Sequence, residues 1–207
     1  MRLVILALDT ATDVTTVCLA VDGEVHEVAA EPRRHAAQGV LVDAAALLDR
    51  AGLAPAAIDQ VVVGTGPGGY TGLRIGIASG RGLAAALGIP VGGISTLHAL
   101  LCGDGVELAL IDARRGQIFA AGGGLAPCVL APAALAALVE PGLTAVGDGA
   151  VRYRDVLPAL AIPPDDSPLH VPWARHHAAL AATAGPAEPL YLRAPDIDRR
   201  VLAGAAR

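Results

Sequence analysis

Between Gly64 and Gly76 the chain reads Gly-Thr-Gly-Pro-Gly-Gly-Tyr-Thr-Gly-Leu-Arg-Ile-Gly, and no other stretch limits the possible folds so sharply. It follows an apolar run from Ile58 to Val63, the signal of a buried strand, and leads into a helix that ends before Gly88-Ile89-Pro90. Four glycines and a proline between Gly64 and Gly69 are too costly in chain entropy to be filler. Such a loop lets backbone N–H groups approach something closely, either a phosphate or another backbone. Which of the two it meets decides whether the chain is an enzyme.

The neighbouring segments supply the rest of the plan. Leu3 to Asp9 reads as a central strand, Thr15 to Val21 alternates as a second, Asp22-Gly23 is a hairpin signal, and Glu24 to Ala30 returns. Helical periodicity runs from about Ala36 to Ala51, with Gly52 as the residue that stops it. Val40, Leu41, Ala44, Leu47, Leu48 and Ala51 share one face of that helix; Gly39, Val42 and Ala46 lie almost opposite. A helix apolar on two sides is covered on both or meets a partner. In the helix after the glycine loop, Gly72, Gly76 and Gly80 recur every four residues beside Leu83 and Leu87. Each mid-helix glycine costs about 1 kcal/mol against alanine, so that stripe must permit a close contact. Arg74, Ala78, Arg81 and Ala85 occupy the other face.

A short strand at Pro90–Gly93 and a short helix from Ser95 complete the first half. Val106–Asp112 and Gln117–Gly122 then flank Ala113–Gly116 as a hairpin. A small helix is expected from Pro132 to Val139, a strand at Leu143–Gly147, helices near 150–157 and 173–183, and a proline-rich loop at 158–172. Three strands followed by alternating helices and strands, twice over, resembles the plan of the actin-like ATPase (ribonuclease H-like) fold. The expectation is therefore an α/β protein of two lobes, each a mixed sheet with flanking helices, divided into residues 1–101 and 102–207.

Charge and composition narrow the function. The net charge of −5 over 207 residues argues against a free-standing nucleic-acid binder, which needs a basic face. Three widely spaced cysteines, Cys18, Cys102 and Cys128, read as buried thiols of a reducing cytosol. The run Leu3–Leu8, stopped by Asp9, is too short for a membrane span or a signal peptide, so a cytoplasmic protein without membrane association is expected.

Motifs that would carry chemistry are mostly missing from the chain. Gly64 to Gly69 matches the dinucleotide pattern G-x-G-x-x-G, but no acid lies between Asp59 and Asp104 to bind a ribose, and a β-hairpin precedes the loop. A P-loop needs lysine, and the chain has none. Six histidines show no i, i+4 pair; His176 and His177 are adjacent and read as surface or capping residues. Asp9, ahead of Thr10 and Thr12 at a strand end, has two readings. In actin-like folds such a position faces nucleotide phosphates and their metal, so these three residues form a possible residual nucleotide site. Alternatively, Asp9 is a turn-forming residue that accepts backbone hydrogen bonds. No G-x-S-x-G is present, and Cys18 and Cys102 have no evident activating base. No catalytic residue, metal site or cofactor is assigned.

These motifs together resemble a family. Leu8-Asp-Thr-Ala-Thr12, the His35 helix entry, Gly66-Pro-Gly-Gly-Tyr-Thr-Gly-Leu-Arg-Ile-Gly76 and Gly88-Ile-Pro90 are similar to the TsaB (YeaZ) family, with weaker support from Asp112–Ile118, Gly147–Ala150 and Pro189–Arg193. Its glycine-loop signature falls on Gly66, Gly68, Gly69, Tyr70, Thr71 and Gly72. Where the family more often has Ser-Phe, this chain has Gly69-Tyr70 and keeps the ring.

The resemblance implies a subunit of the bacterial machinery that makes threonylcarbamoyladenosine next to the anticodon of tRNA. The catalytic relatives of the TsaD family carry Asn-His-x-x-x-His after the glycine loop; here Thr96 and Leu100 stand at the histidine positions. That implies a non-catalytic scaffold, docking through its first lobe with a TsaD-like subunit, or with itself when alone. The docking residues implied are His35, Gly39, Val42 and Ala46 of the first long helix and Arg74, Ala78 and Arg81 of the second. A TsaE-like ATPase would be a further partner, and tRNA would be met only through the complex. Two alternatives stand: a catalytically competent metal- or ATP-dependent transferase or peptidase of the wider glycoprotease family, and a dinucleotide-binding module.

Overall fold

The computed structural model describes residues 2–30 and 36–193. Its first sheet is built around strand β1 (Val4–Asp9), whose six side chains are all buried. It is a central strand covered on both faces: β2 (Thr15–Val21) pairs with it antiparallel on one side and β4 (Gln60–Gly64) parallel on the other. β3 (Glu24–Ala30) and β5 (Val91–Ile94) extend the edges, giving the order β3-β2-β1-β4-β5. The β2–β3 hairpin turns at Asp22-Gly23, where both residues have positive φ, the conformation that an Asp-Gly turn favours.

Alternation along β1 assigns the two faces. Val4, Leu6 and Leu8 join the core under α1 (Ala36–Ala51) and α2 (Tyr70–Leu87), where Val40, Ala44, Leu47, Leu73 and Ile77 also lie. Ile5 and Ala7 point the other way, toward Ala174 and Ala178 of α6 (Ala174–Ala179). α1 ends at Gly52 in the left-handed region, with the Leu53 N–H returning to the Leu48 carbonyl at 2.9 Å, a Schellman closure.

The second sheet repeats the plan. β6 (Leu108–Asp112), β7 (Ile118–Gly122) and β8 (Leu125–Leu130) run antiparallel, and the two-residue β9 (Ala145–Val146) lies parallel beside β6, in the order β8-β7-β6-β9. α3 (Thr96–Leu101) covers one face with Leu97 and Leu100. α4 (Pro132–Leu135) and α5 (Asp148–Arg152) cover the other with Leu135 and Ala150. β1 to β5 precede Thr96 and β6 to β9 follow α3, but the chain then returns to the first sheet: α6 packs on β1, β2 and β4.

β8 is absent from the sequence reading because Pro127 interrupts it; as an edge strand it tolerates a residue without an N–H. The helix expected to Val139 ends at Leu135, and the one expected at 150–157 is α5 followed by a 3-10 turn at Arg154–Val156.

Candidate functional site

The glycine loop meets backbone. The Gly69 N–H donates to the Ala11 carbonyl at 2.7 Å, and the Thr96 N–H donates to the Gly66 carbonyl at 2.8 Å. The Gly66 N–H in turn reaches Thr96 Oγ1 at 3.2 Å. A Cβ placed on Gly68 would run into the Ala11 carbonyl, one on Gly72 into the Thr10 carbonyl, and one on Gly76 into the Thr10 hydroxyl. Gly68, Gly72 and Gly76 therefore form a seat for the β1–β2 turn, while Gly80 makes room for Val63 of β4. From the far side the Leu190 N–H donates to the Thr65 carbonyl at 2.8 Å, so the C-terminal segment crosses over the loop. Gly69, Tyr70 and Thr71 are exposed where α2 begins.

That seating places Asp9 in the interior. Its side chain is wholly buried, and Gly64 lacks a Cβ where one would strike the carboxylate. Oδ1 accepts the Ala11 N–H at 2.7 Å; Oδ2 accepts the Thr96 hydroxyl at 2.7 Å and lies 2.8 Å from Nε2 of His177. Thr10 is also buried, its hydroxyl donating to the Gly72 carbonyl at 2.7 Å, and the Thr12 hydroxyl donates to the Val14 carbonyl at 3.1 Å. Asp9 and Thr10 both lie away from solvent, Asp9 against His177 of α6 and Thr10 against Gly72 and Gly76 of α2. The i to i+2 bond from Asp9 fits the turn-forming reading.

His177 departs from the surface or capping role expected of it. Far from the surface, it is wholly buried, against Asp9 without the alignment of a hydrogen bond, and its Nδ1 has no partner among the described residues. His176 is partly buried, donating from Nδ1 to the Ala99 carbonyl at 2.8 Å, and burial lowers its pKa. Arg175 completes the run, its N–H and Nη1 reaching the Glu27 carboxylate at 2.9 and 2.6 Å. Three consecutive residues thus clip α6 to β3, α3 and β1. The signal available in the sequence was Asp9 itself, since an acid ending a fully buried strand needs partners.

A second polar cluster joins the lobes. Arg114, on the β6–β7 turn, reaches Asp112 at 3.1 Å and Asp13 of the β1–β2 turn at 3.2 Å. Asp13 and Arg114 are about half exposed, so that bridge contributes less than about 1 kcal/mol. Asp148 accepts the Asp112 N–H at 2.9 Å, and burial pushes its carboxyl above the usual range. Among the described residues no group of three His, Cys, Asp or Glu side chains is arranged to hold a metal ion.

The remaining sequence candidates lie on the solvent side of α1 and α2, which pack against each other. Val42 is 65% exposed and Leu41 45%, large values for apolar side chains. Ala46, Arg74, Ala78 and Arg81 are also exposed, and Gly39 is partly so. His35 lies outside the described residues.

The model of the family described as TsaD, tRNA N6-adenosine threonylcarbamoyltransferase, matches residues 8–142. Among solved structures, YeaZ from Pseudomonas aeruginosa superposes with a TM-score of 0.78 at 29% identity, over 92% of this chain and 100% of that one. The chain belongs to the TsaB/YeaZ family. The tRNA threonylcarbamoyladenosine biosynthesis protein TsaB of Escherichia coli is 39% identical over 122 residues, 56% of this chain and 52% of its own. An uncharacterised protein of Mycobacterium tuberculosis is 38% identical over 203 residues, 93% of this chain and 92% of its own. The two mixed sheets and their helices are the actin-like fold expected from the sequence. Set in the TsaB/YeaZ frame, Thr96 serves the buried Asp9 and Leu100 fills the core beneath the second sheet.

Proposed function

We propose that this chain is a non-catalytic subunit in the formation of threonylcarbamoyladenosine in tRNA, acting as a docking scaffold for a TsaD-like catalytic subunit. The observation that carries the reading is the α1–α2 solvent face. Val42 is exposed on α1 with the small residue Ala46, and α2, which packs against α1, exposes Ala78 with Arg74 and Arg81, the composition of an interface core with a polar rim. Family membership supplies the partner's identity, and the same face supports pairing with a second copy when the partner is absent. A TsaE-like ATPase joins the assembly, and tRNA is met through the complex. The use of Thr96 and Leu100 in packing, where the catalytic relatives place histidines, supports the non-catalytic assignment.

The test is mass in solution. Mixed with its cognate TsaD-like subunit, the chain gives a one-to-one heterodimer by light scattering, and Val42→Arg abolishes it. The absence of a complex at tens of micromolar, roughly −6 kcal/mol of binding, overturns the reading.

A further inference from the structure

Five aromatic side chains serve the whole of this 207-residue chain, and two of its three tyrosines are spent on the surface. Tyr70 and Tyr191 are 55% and 44% exposed, their rings stacked with centroids 6.0 Å apart and planes 26° from parallel. Arg74, one turn into α2 from Tyr70, lies with its guanidinium carbon 4.4 Å from the Tyr70 ring centroid. Its Nε donates to the Tyr191 hydroxyl at 3.2 Å. Neither tyrosine belongs to any of the four hydrophobic clusters, so the core does not require this arrangement.

The cluster has the form of a prepared binding group. Ring and phenol hold the guanidinium from two directions, while its two terminal nitrogens have no partner among the described residues. A planar fork held in place loses little entropy on meeting a carboxylate, which it matches with two parallel hydrogen bonds. The charge on its own helix sets the sign of the partner: α2 from Tyr70 to Leu87 carries Arg74 and Arg81 and no acid. Tyrosine and arginine are the residues that dominate protein interfaces. A nucleic acid also offers anions, but the chain's net charge of −5 opposes one.

The geometry points to Arg74, walled by Tyr70 and Tyr191, as the anchor that receives a carboxylate of the TsaD-like subunit at the edge of the α1–α2 face. This rests on the docking reading and adds its chemistry. It also gives the returning C-terminal segment a role: Tyr191 arrives just past Leu190, which is tied to the glycine loop, and sets the arginine that the partner meets.

Calorimetric titration of the full chain with its cognate TsaD-like subunit tests it, with Val42→Arg as the control for the face. Arg74→Gln weakens binding at least about tenfold and Arg74→Lys does not restore it, because lysine lacks the planar fork. Tyr191→Phe, which keeps the ring and removes the hydroxyl that holds Arg74, weakens binding by about threefold or more. Thermal melts of the same variants stay at the wild-type value, separating an anchor from a structural role. If Arg74→Gln and Tyr191→Phe bind within twofold of wild type while Val42→Arg is inert, the anchor is wrong and the docking face stands. If Val42→Arg also binds normally, both fail. If Arg74→Gln lowers retention of tRNA but not of the protein subunit, the site serves nucleic acid and the proposal is overturned.

Discussion

Nε2 of His177 lies 2.8 Å from Oδ2 of Asp9, and neither side chain has any exposed surface. The two residues are 168 positions apart in sequence and close the first lobe from opposite ends of the chain. Breaking a buried polar pair by removing one partner is costly, since the other stays buried, here with only the Ala11 N–H and the Thr96 hydroxyl to compensate it.

His177→Ala is therefore expected to destabilise the fold by about 3–5 kcal/mol, part of it from the cavity left under α6. Urea denaturation followed by circular dichroism measures the loss. A change below about 1 kcal/mol would show that Asp9 is adequately held by Thr96 and the Ala11 N–H alone.

Two glycines of α2 should respond oppositely to the same substitution. Gly76→Ala drives a methyl group into the Thr10 hydroxyl and loses about 1–3 kcal/mol. Gly82 has open space around the position of a Cβ, so Gly82→Ala gains roughly 0.5–1 kcal/mol from the reduced freedom of the unfolded chain. Equal effects of the two changes in a thermal melt would contradict the seating of the β1–β2 turn on this helix.

Asp148 gives a pH dependence. Burial raises its carboxyl above the usual range, the Asp112 N–H opposes the shift, and the charges of Asp112 and Asp13 add to it. The folded chain then holds this proton more tightly than the unfolded chain, so stability falls as pH rises through the window above the ordinary carboxylate pKa of about 4. Below that window its contribution is fully present. Asp148→Asn keeps an acceptor for the Asp112 N–H and does not titrate. Relative to it, the wild-type chain should lose stability as pH rises above about 4; parallel stability curves would refute the assignment.

The thiols should separate by burial. The Cys18 thiol is pushed up to about 12 by burial, with the Glu27 charge adding and Arg175 opposing. Cys102 is exposed at the end of α3. Alkylation of the native protein at about pH 8, read by mass spectrometry, should modify Cys102 and spare Cys18 until denaturant is added. Early labelling of Cys18 would mean that α6 opens readily from the sheet.

Local pattern revealed most of the architecture. Continuous apolar runs marked β1 and β4, Asp22-Gly23 marked a turn, and Gly52 and Gly88 marked helix ends, because each depends on near neighbours alone. β8 escaped because Pro127 tells against a strand unless the strand is known to be an edge, and edges belong to the assembled sheet.

The candidate site divides along the same line. The exposed stripe of Val42 and Ala46, and that of Arg74, Ala78 and Arg81, follow from helical periodicity and were legible before any coordinates. The glycine loop announced a close contact but not its object. That object, the backbone of Thr10 and Ala11, comes from a turn more than fifty residues earlier. His177 looked like a surface residue and Tyr191 carried no site reading of its own, because nothing adjacent to either in sequence is what it touches. Asp9 and Arg74, their partners, lie 168 and 117 residues away. Periodicity along one chain fixes which face of an element is apolar. Only packing brings distant polar groups into contact with each other, and burial there turns an ordinary histidine into an interior contact of the first lobe.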